Sequence, residues 1–285
     1  MSEPRLAVRK TYKLLIDGAF VRSESGRSYP VATPDGTFWA NVAEASRKDV
    51  RDAVGAARRA QATWWRASAA HRGQVLYRLA EMAESRSSEL VEHVARAEGR
   101  SLDEARTTVA RSIDRVVWYA GWTDKITQVL GGANPVAGPF FNFSLPVASG
   151  VVGVVAPQAS SLDGFIDAVL APLCVGNAVV VLASEQRPTP AVLLGEMSAT
   201  ADLPTGVCNI LTGRTGALAP TLAAHEDVDG LDLEGAGALG DQLALAAAGS
   251  IKRVLRPTTG ASDPASLRRL RAFVETSTVW HTIGP

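Results

Sequence analysis

Few residues of this chain are of a type and in a setting that could do chemistry. A thiolate can attack a carbonyl once a neighbouring base has taken its proton, which makes the two cysteines, Cys174 and Cys208, the first to weigh. Each sits in an apolar run, Pro172-Leu173-Cys174-Val175 and Gly206-Val207-Cys208-Asn209-Ile210, with no base beside it. That setting reads as two small buried hydrophobes rather than reactive thiols, and a disulfide is not expected in a reducing compartment. The four histidines, His71, His93, His225 and His281, do not pair with the cysteines at metal-ligand spacing, so no metal site is predicted. Ser160 and Ser161 lack the Gly-x-Ser-x-Gly elbow of a serine nucleophile. Thr212-Gly213-Arg214-Thr215-Gly216 could let backbone N–H groups approach a phosphate, although a short glycine-containing turn carries little information by itself.

The elements that must position these residues fall into two halves. From Tyr12 to about residue 45 the chain reads as short strands, Tyr12-Lys13-Leu14-Leu15-Ile16 and Phe20-Val21, with turns at Asp17-Gly18 and Pro34-Asp35-Gly36. Helices follow. Ser46 with Asp49, and Ser101 with Glu104, make capping-box starts, and a helix over 69–85 and another over Ser88–Ala97 lie between them. Gly131 to Pro146 breaks the composition with paired glycines, prolines and the aromatic run Phe140-Phe141-Asn142-Phe143. Beyond it strands are predicted at 150–156, 178–182, 207–211, 229–233 and 251–255. Helices are predicted between them near 162–175, 189–201, 215–224 and 236–248. Single helices alternating with strands imply parallel crossovers and a sheet covered on both faces. The aromatics Phe140, Phe141, Phe143 and Trp280 read as interface or core residues rather than a ligand cage.

A hydrophobic content of 46% over 285 residues allows a substantial core and one or two domains. Charge is balanced, 29 basic against 29 acidic residues, so neither nucleic acid nor an anionic membrane is indicated as a partner. The most apolar window, Ala168 to Ala183, is interrupted by Pro172, Gly176 and Asn177, and the start lacks a signal-peptide stretch. The expected compartment is the cytoplasm.

Several segments resemble the aldehyde dehydrogenase family in order and spacing. They are Gly150-Val151-Val152-Gly153-Val154-Val155-Ala156-Pro157, Gly176-Asn177-Ala178-Val179-Val180-Val181, Ser184-Glu185-Gln186-Arg187-Pro188, Leu203-Pro204-Thr205-Gly206-Val207 and Asn209-Ile210-Leu211-Thr212-Gly213. The resemblance runs from about Tyr12 to Trp280. It implies an α/β fold, a doubly wound and mostly parallel Rossmann-like sheet with an N-terminal helical segment and an oligomerisation arm. The implied boundaries are N-terminal strands and helices over 1–130, an arm or linker over 131–148, the Rossmann-like unit over 149–256, and a remnant helix (Ser266 to Phe273) with an oligomerisation strand over 257–285.

The same resemblance shows what is missing. The family's oxyanion asparagine falls on Ala159, its ribose-binding lysine on Leu182, and its general-base glutamate on Pro257 in Lys252-Arg253-Val254-Leu255-Arg256-Pro257-Thr258-Thr259-Gly260-Ala261. Its Phe-Thr-Gly-Ser becomes Leu233-Glu234-Gly235-Ala236, which removes a hydroxyl and adds a negative charge where phosphates would lie. The stretch after Leu255 is too short for the domain that carries the family's cysteine, as though most of that domain were deleted and the tail kept. No catalytic residue is therefore predicted. Glu185, Gly213 and Gly235 are the expected vestiges of a cofactor site, with NAD(P) binding weak or absent; Glu185 reads either as a ribose ligand or as a solvated helix-start residue. The expected role is a catalytically inactive subunit paired with a full-length aldehyde dehydrogenase or with itself. The alternatives are a split enzyme whose partner supplies the cysteine and glutamate, and a free-standing nucleotide-binding module.

Overall fold

The computed structural model describes residues 10–257 and 266–283. Seven strands form the main sheet, in the order β12 (Arg253–Leu255), β11 (Gly230–Asp232), β8 (Val151–Val155), β9 (Ala178–Leu182), β10 (Cys208–Leu211), β2 (Leu14–Ile16) and β3 (Ala19–Val21). β8, β9, β10, β11 and β12 run parallel. Their order outward from β8 reverses between β8 and β11, which makes that gap the switch point of a doubly wound fold. β8 and β9 are buried throughout, as near-continuous valine runs require when helices cover both faces. Val152 and Val154 point into one core layer and Val151 and Val155 into the other, so one strand feeds two cores.

The first layer holds α2 (Ala69–Ser85), α3 (Ser87–Glu98), α4 (Leu102–Ala120), α6 (Asp163–Cys174) and α7 (Thr189–Thr200). The second holds α1 (Arg47–Arg66), α8 (Thr215–Ala224) and α9 (Gly240–Ala247). A short α5 (Ile126–Leu130) leads to the arm. Both predicted capping boxes form. Ser46 accepts from the backbone of Lys48 and Asp49 while Asp49 accepts from Ser46 N–H, and Ser101 and Glu104 repeat the exchange.

The predicted strand Tyr12–Ile16 is two strands in two sheets. β1 (Thr11–Tyr12) pairs with β5 (Phe38–Ala43), which also pairs with β4 (Ser28–Ala32). β2 (Leu14–Ile16) turns into a hairpin with β3 (Ala19–Val21) and joins the main sheet antiparallel to β10. The break falls at the exposed Lys13 because Tyr12 belongs to a core with Tyr29 and Val42, while Leu14 belongs to the second layer under the main sheet. The helix predicted over 236–248 starts as a 3-10 turn, Gly237–Leu239, and becomes α-helical only at Gly240. Glycines at 235, 237 and 240 explain the late start, since each is poor in a helix interior.

A third sheet, ordered β13-β7-β6, projects from this body. β7 (Phe140–Ala148) pairs in antiparallel register with β13 (Val274–Thr282) over their full lengths, and β6 (Gly132–Ala133) flanks β7. The helix predicted over Ser266–Phe273 is a single turn, α10 (Arg268–Ala272). Its Leu270 and the following Phe273 are fully buried, and the Asn177 side-chain amide donates to Phe273 O at 2.9 Å. Arg253 and Glu275 then tie the base of the ribbon to β12 by an ion pair.

Candidate functional site: the crevice at the strand ends

In a doubly wound sheet, ligands bind outside the carboxyl ends of the strands at the switch point. Here that crevice is bounded by the turn after β8 and the loop after β11. The first turn is held from within. Gln158 Nε2 donates to Ala156 O at 2.8 Å, its Oε1 accepts from Glu185 N–H at 2.9 Å, and Arg187 donates to Ala159 O. Ala159 is exposed and offers only a methyl group at the position where the resemblance implies an oxyanion donor. Ser161 donates through both N–H and Oγ to Glu98 Oε1 at 2.8 Å, and Ser160 Oγ accepts from Gly164 N–H at 3.0 Å. Both serines are therefore engaged in shaping the entry to α6.

Glu185 stands at the N-terminus of α8, where a carboxylate is favoured by the helix dipole. One oxygen pairs with Arg214 at 2.8 Å and the other accepts from Thr215 N–H at 3.1 Å. Arg214 in turn lies 4.6 Å over the Tyr29 ring, and the Tyr29 hydroxyl donates to Glu185 O at 3.0 Å. A concavity of about 440 Å³ opens beside these groups, lined in part by Tyr29, Pro34, Arg187 and Arg214. Gly213 belongs to the same turn, but it is a packing glycine. A Cβ there would stand 2.8 Å from Leu218 Cδ1, and the preceding Thr212 accepts from Ala45 N–H. The backbone donor at the start of α8 thus faces Glu185 rather than open space.

The loop after β11 crosses directly over β8. Gly235 N–H donates to Val155 O at 3.0 Å, and a Cβ on Gly235 would lie 1.8 Å from Ala156 O. Only glycine permits that crossing. Ala236 is buried, with a methyl group in place of a hydroxyl. Glu234 is paired with Arg269 at 2.9 Å and approaches Arg268 at 3.9 Å, so its charge is met by the chain's own tail. Asp232, fully buried, also pairs with Arg269. Sequence reasoning missed Asp232 and Arg269. An aspartate inside the apolar run Gly230-Leu231-Asp232-Leu233 was the available signal, because a buried carboxylate needs a counter-ion.

Of the other candidates the cysteines lie away from the strand ends, whereas Leu182 ends β9 beside Val155 and Pro257 follows β12. Cys174 and Cys208 are buried, and loss of solvation pushes each thiol up to about 12. Cys174 Sγ donates to Tyr119 O. Leu182 is packed in the second core layer, and Pro257 is exposed at the end of β12. The continuation of the general-base segment, Thr258 to Ala261, lies outside the described residues. Among the described residues no group of three histidine, cysteine or acidic side chains could hold a metal, and no helix is long and apolar enough to cross a membrane.

The residues present do not fit a dinucleotide. Leu182 and Ala236, where the resemblance implies a ribose-side lysine and a pyrophosphate-side serine, are buried and offer only hydrocarbon, and Glu234 beside Gly235 adds a carboxylate that is paired with Arg269. The architecture nevertheless has known counterparts. The aldehyde dehydrogenase family model matches residues 20–265. This chain belongs to the aldehyde dehydrogenase family. It is 35% identical over 264 residues to the mitochondrial aldehyde dehydrogenase family 2 member B4 of Arabidopsis thaliana, a match covering 91% of this chain and 48% of the relative. It is 33% identical over 265 residues to retinal dehydrogenase 2 of Mus musculus, covering 91% and 50%. Among solved structures, the NAD+ complex of an aldehyde dehydrogenase from Bacillus cereus superposes with a TM-score of 0.81 at 27% identity, over 86% of this chain and 50% of that one. The chain spans about half the length of the relatives it matches.

Proposed function

We propose that this chain is a catalytically silent aldehyde dehydrogenase homologue, a structural or regulatory subunit that assembles with a full-length aldehyde dehydrogenase through its β6-β7-β13 ribbon. The observation that carries the reading is the ribbon's surface. Phe140 and Trp280 are exposed on one face of the paired strands and Phe141, Leu145 and Val279 on the other, with Ile283 exposed just beyond, and among the described residues no strand pairs with the outer edge of β13. A cluster of this kind marks an association surface. Local chemistry supports the silence. Ala159 cannot stabilise an oxyanion, Pro257 cannot move a proton, and both cysteines are buried thiols.

Affinity purification of the tagged chain from its native cell, with mass spectrometry of what accompanies it, tests the reading. Near-stoichiometric recovery of a full-length aldehyde dehydrogenase is the expected result. Recovery of the chain alone, as a soluble monomer, would overturn it. Association of the chain with itself uses the same surface, and the mass of the purified species distinguishes the two. The cytoplasm is the compartment proposed for this assembly.

A further inference from the structure

Each of the three sheets has two edges, and an open strand edge is a template for pairing with another chain unless something blunts it. Among the described residues every edge but one is blunted. β1 and β6 are two residues long, and β3 and β12 are three. β4 carries Pro30 and a register shift between Val31 and Ala32. β13 differs. It runs for nine residues, keeps unbroken register with β7 from Val274 to Thr282, and contains neither proline nor lysine. Every residue from Glu275 to Thr282 is exposed. We infer that the outer edge of β13 is a strand-addition site, and that its occupant is β13 of a second copy of this chain, antiparallel about a two-fold axis at Thr278.

The hydrogen-bond phase of the ribbon fixes which groups of β13 face outward. Just beyond its two ends, Ser149 N–H donates to Phe273 O and Ile283 N–H donates to Pro139 O. Backbone groups of alternate residues point to opposite sides of a strand, so the odd-numbered residues of β13 bond to β7. The N–H and C=O groups of Val274, Thr276, Thr278, Trp280 and Thr282 therefore point away from it; Thr282 O lies 2.7 Å from His281 Nδ1. Full overlap of two antiparallel copies sets each outward residue against another. Thr278 faces its own counterpart, Thr276 faces Trp280 of the other copy, and Val274 faces Thr282. Each of these is a pair in which both residues can exchange both bonds. A slip of one residue would set outward groups against residues already bonded to β7. The same overlap places the strand's one carboxylate, Glu275, opposite its one imidazole, His281 of the other copy, and no like charges meet. An isologous contact of this kind closes on itself, and the edges that remain are the two-residue β6 strands. The inference rests on the ribbon being the association surface; it assigns the edge to a second copy and leaves both faces to a full-length relative.

Light scattering after size exclusion of the purified full chain, with no other protein present, tests the pairing. The expected species is a dimer of the 30.0 kDa chain. Whether a full-length relative is recovered from cells does not enter, so failure here is distinct from failure of the proposed role. Thr276→Pro removes an outward N–H while leaving the bonds to β7 in place, and it should give a monomer. A monomeric wild type overturns the inference. So does a dimer that survives Thr276→Pro, since it would be held through a face rather than the edge. Register is read in two variants that keep the edge, which decide the matter even where Thr276→Pro does not fold. Paired residues stand about 5.5 Å apart at Cα, within reach of a disulfide, so Thr278→Cys should cross-link to its counterpart under mild oxidation. The native cysteines are buried and do not compete. The two copies of residue 282 would lie eight residues apart along the strands, about 27 Å, so Thr282→Cys should stay uncross-linked. Absence of the Thr278→Cys cross-link, or its equal formation in Thr282→Cys, overturns the assignment.

Discussion

Glu185 carries a partner on each of its carboxylate oxygens, one guanidinium and one backbone N–H, at the start of α8. Glu185→Ala removes a partly exposed ion pair and a helix N-terminal acceptor. The expected cost is about 1 kcal/mol of unfolding free energy, read by urea denaturation as a lower midpoint at unchanged slope. The cysteines make a second prediction. With both thiols pushed up to about 12 by burial, neither ionises at pH 8. A disulfide-exchange reagent should titrate no thiol in the folded protein and two after denaturation; fast reaction of either in the native state would refute the assignment. At this scale the sequence was most readable where the residue type alone settles the chemistry, as at Ala159, Leu182 and Pro257, whose side chains can neither donate nor accept a proton. It was least readable where two distant residues act together. Asp232 and Arg269 are 37 residues apart, and only the fold brings them together.

Among the elements, those with local signals were legible. Helices 69–85 and 215–224 lie where hydrophobic spacing predicts them, and the capping serines mark the starts of α1 and α4. Pairing partners were not legible, because Tyr12 and Leu14 choose different sheets for tertiary reasons. The loop over β8 yields a direct test. Gly235→Ala drives a methyl group into a backbone oxygen that cannot move aside. The loss should reach at least the upper end of about 1–3 kcal/mol for overpacking, seen as a lower Tm. The ribbon's base yields a pH test. Hydrogen bonding from Arg253 holds the Glu275 carboxyl below the usual glutamate range. A depressed folded-state pKa contributes stability above the ordinary value, about 4.3, and the contribution disappears as pH falls through the folded value. Protection of the amides at the base of β13, relative to their intrinsic exchange rates, should therefore fall below about pH 4, and Glu275→Gln should flatten that dependence.

For the whole molecule, the main question is what covers the ribbon. Trp280 retains 61% exposure and packs edge-on against Phe140 at 5.7 Å, so the pair offers a large aromatic face at little entropic cost. Trp280→Ser should weaken association, read by light scattering after size exclusion, while leaving the unfolding free energy of the body within about 0.5 kcal/mol of wild type. Unaltered assembly in that variant would move the interface elsewhere.

The ribbon also sets an order of events during biosynthesis. Ser144 and Thr278 share a hydrogen bond across the two strands although they are 134 residues apart in the chain. β7 thus leaves the ribosome long before β13 exists, and the whole parallel sheet is made in the interval. Contacts this distant form late, because the loop must close before any pairing rewards it. Until then Phe140, Phe141 and Phe143 sit on a strand with only the two residues of β6 to pair with. Such an edge invites adventitious pairing with other nascent chains. A chain interrupted before Val274 would carry that edge permanently, so premature termination should yield insoluble product rather than a soluble, armless body.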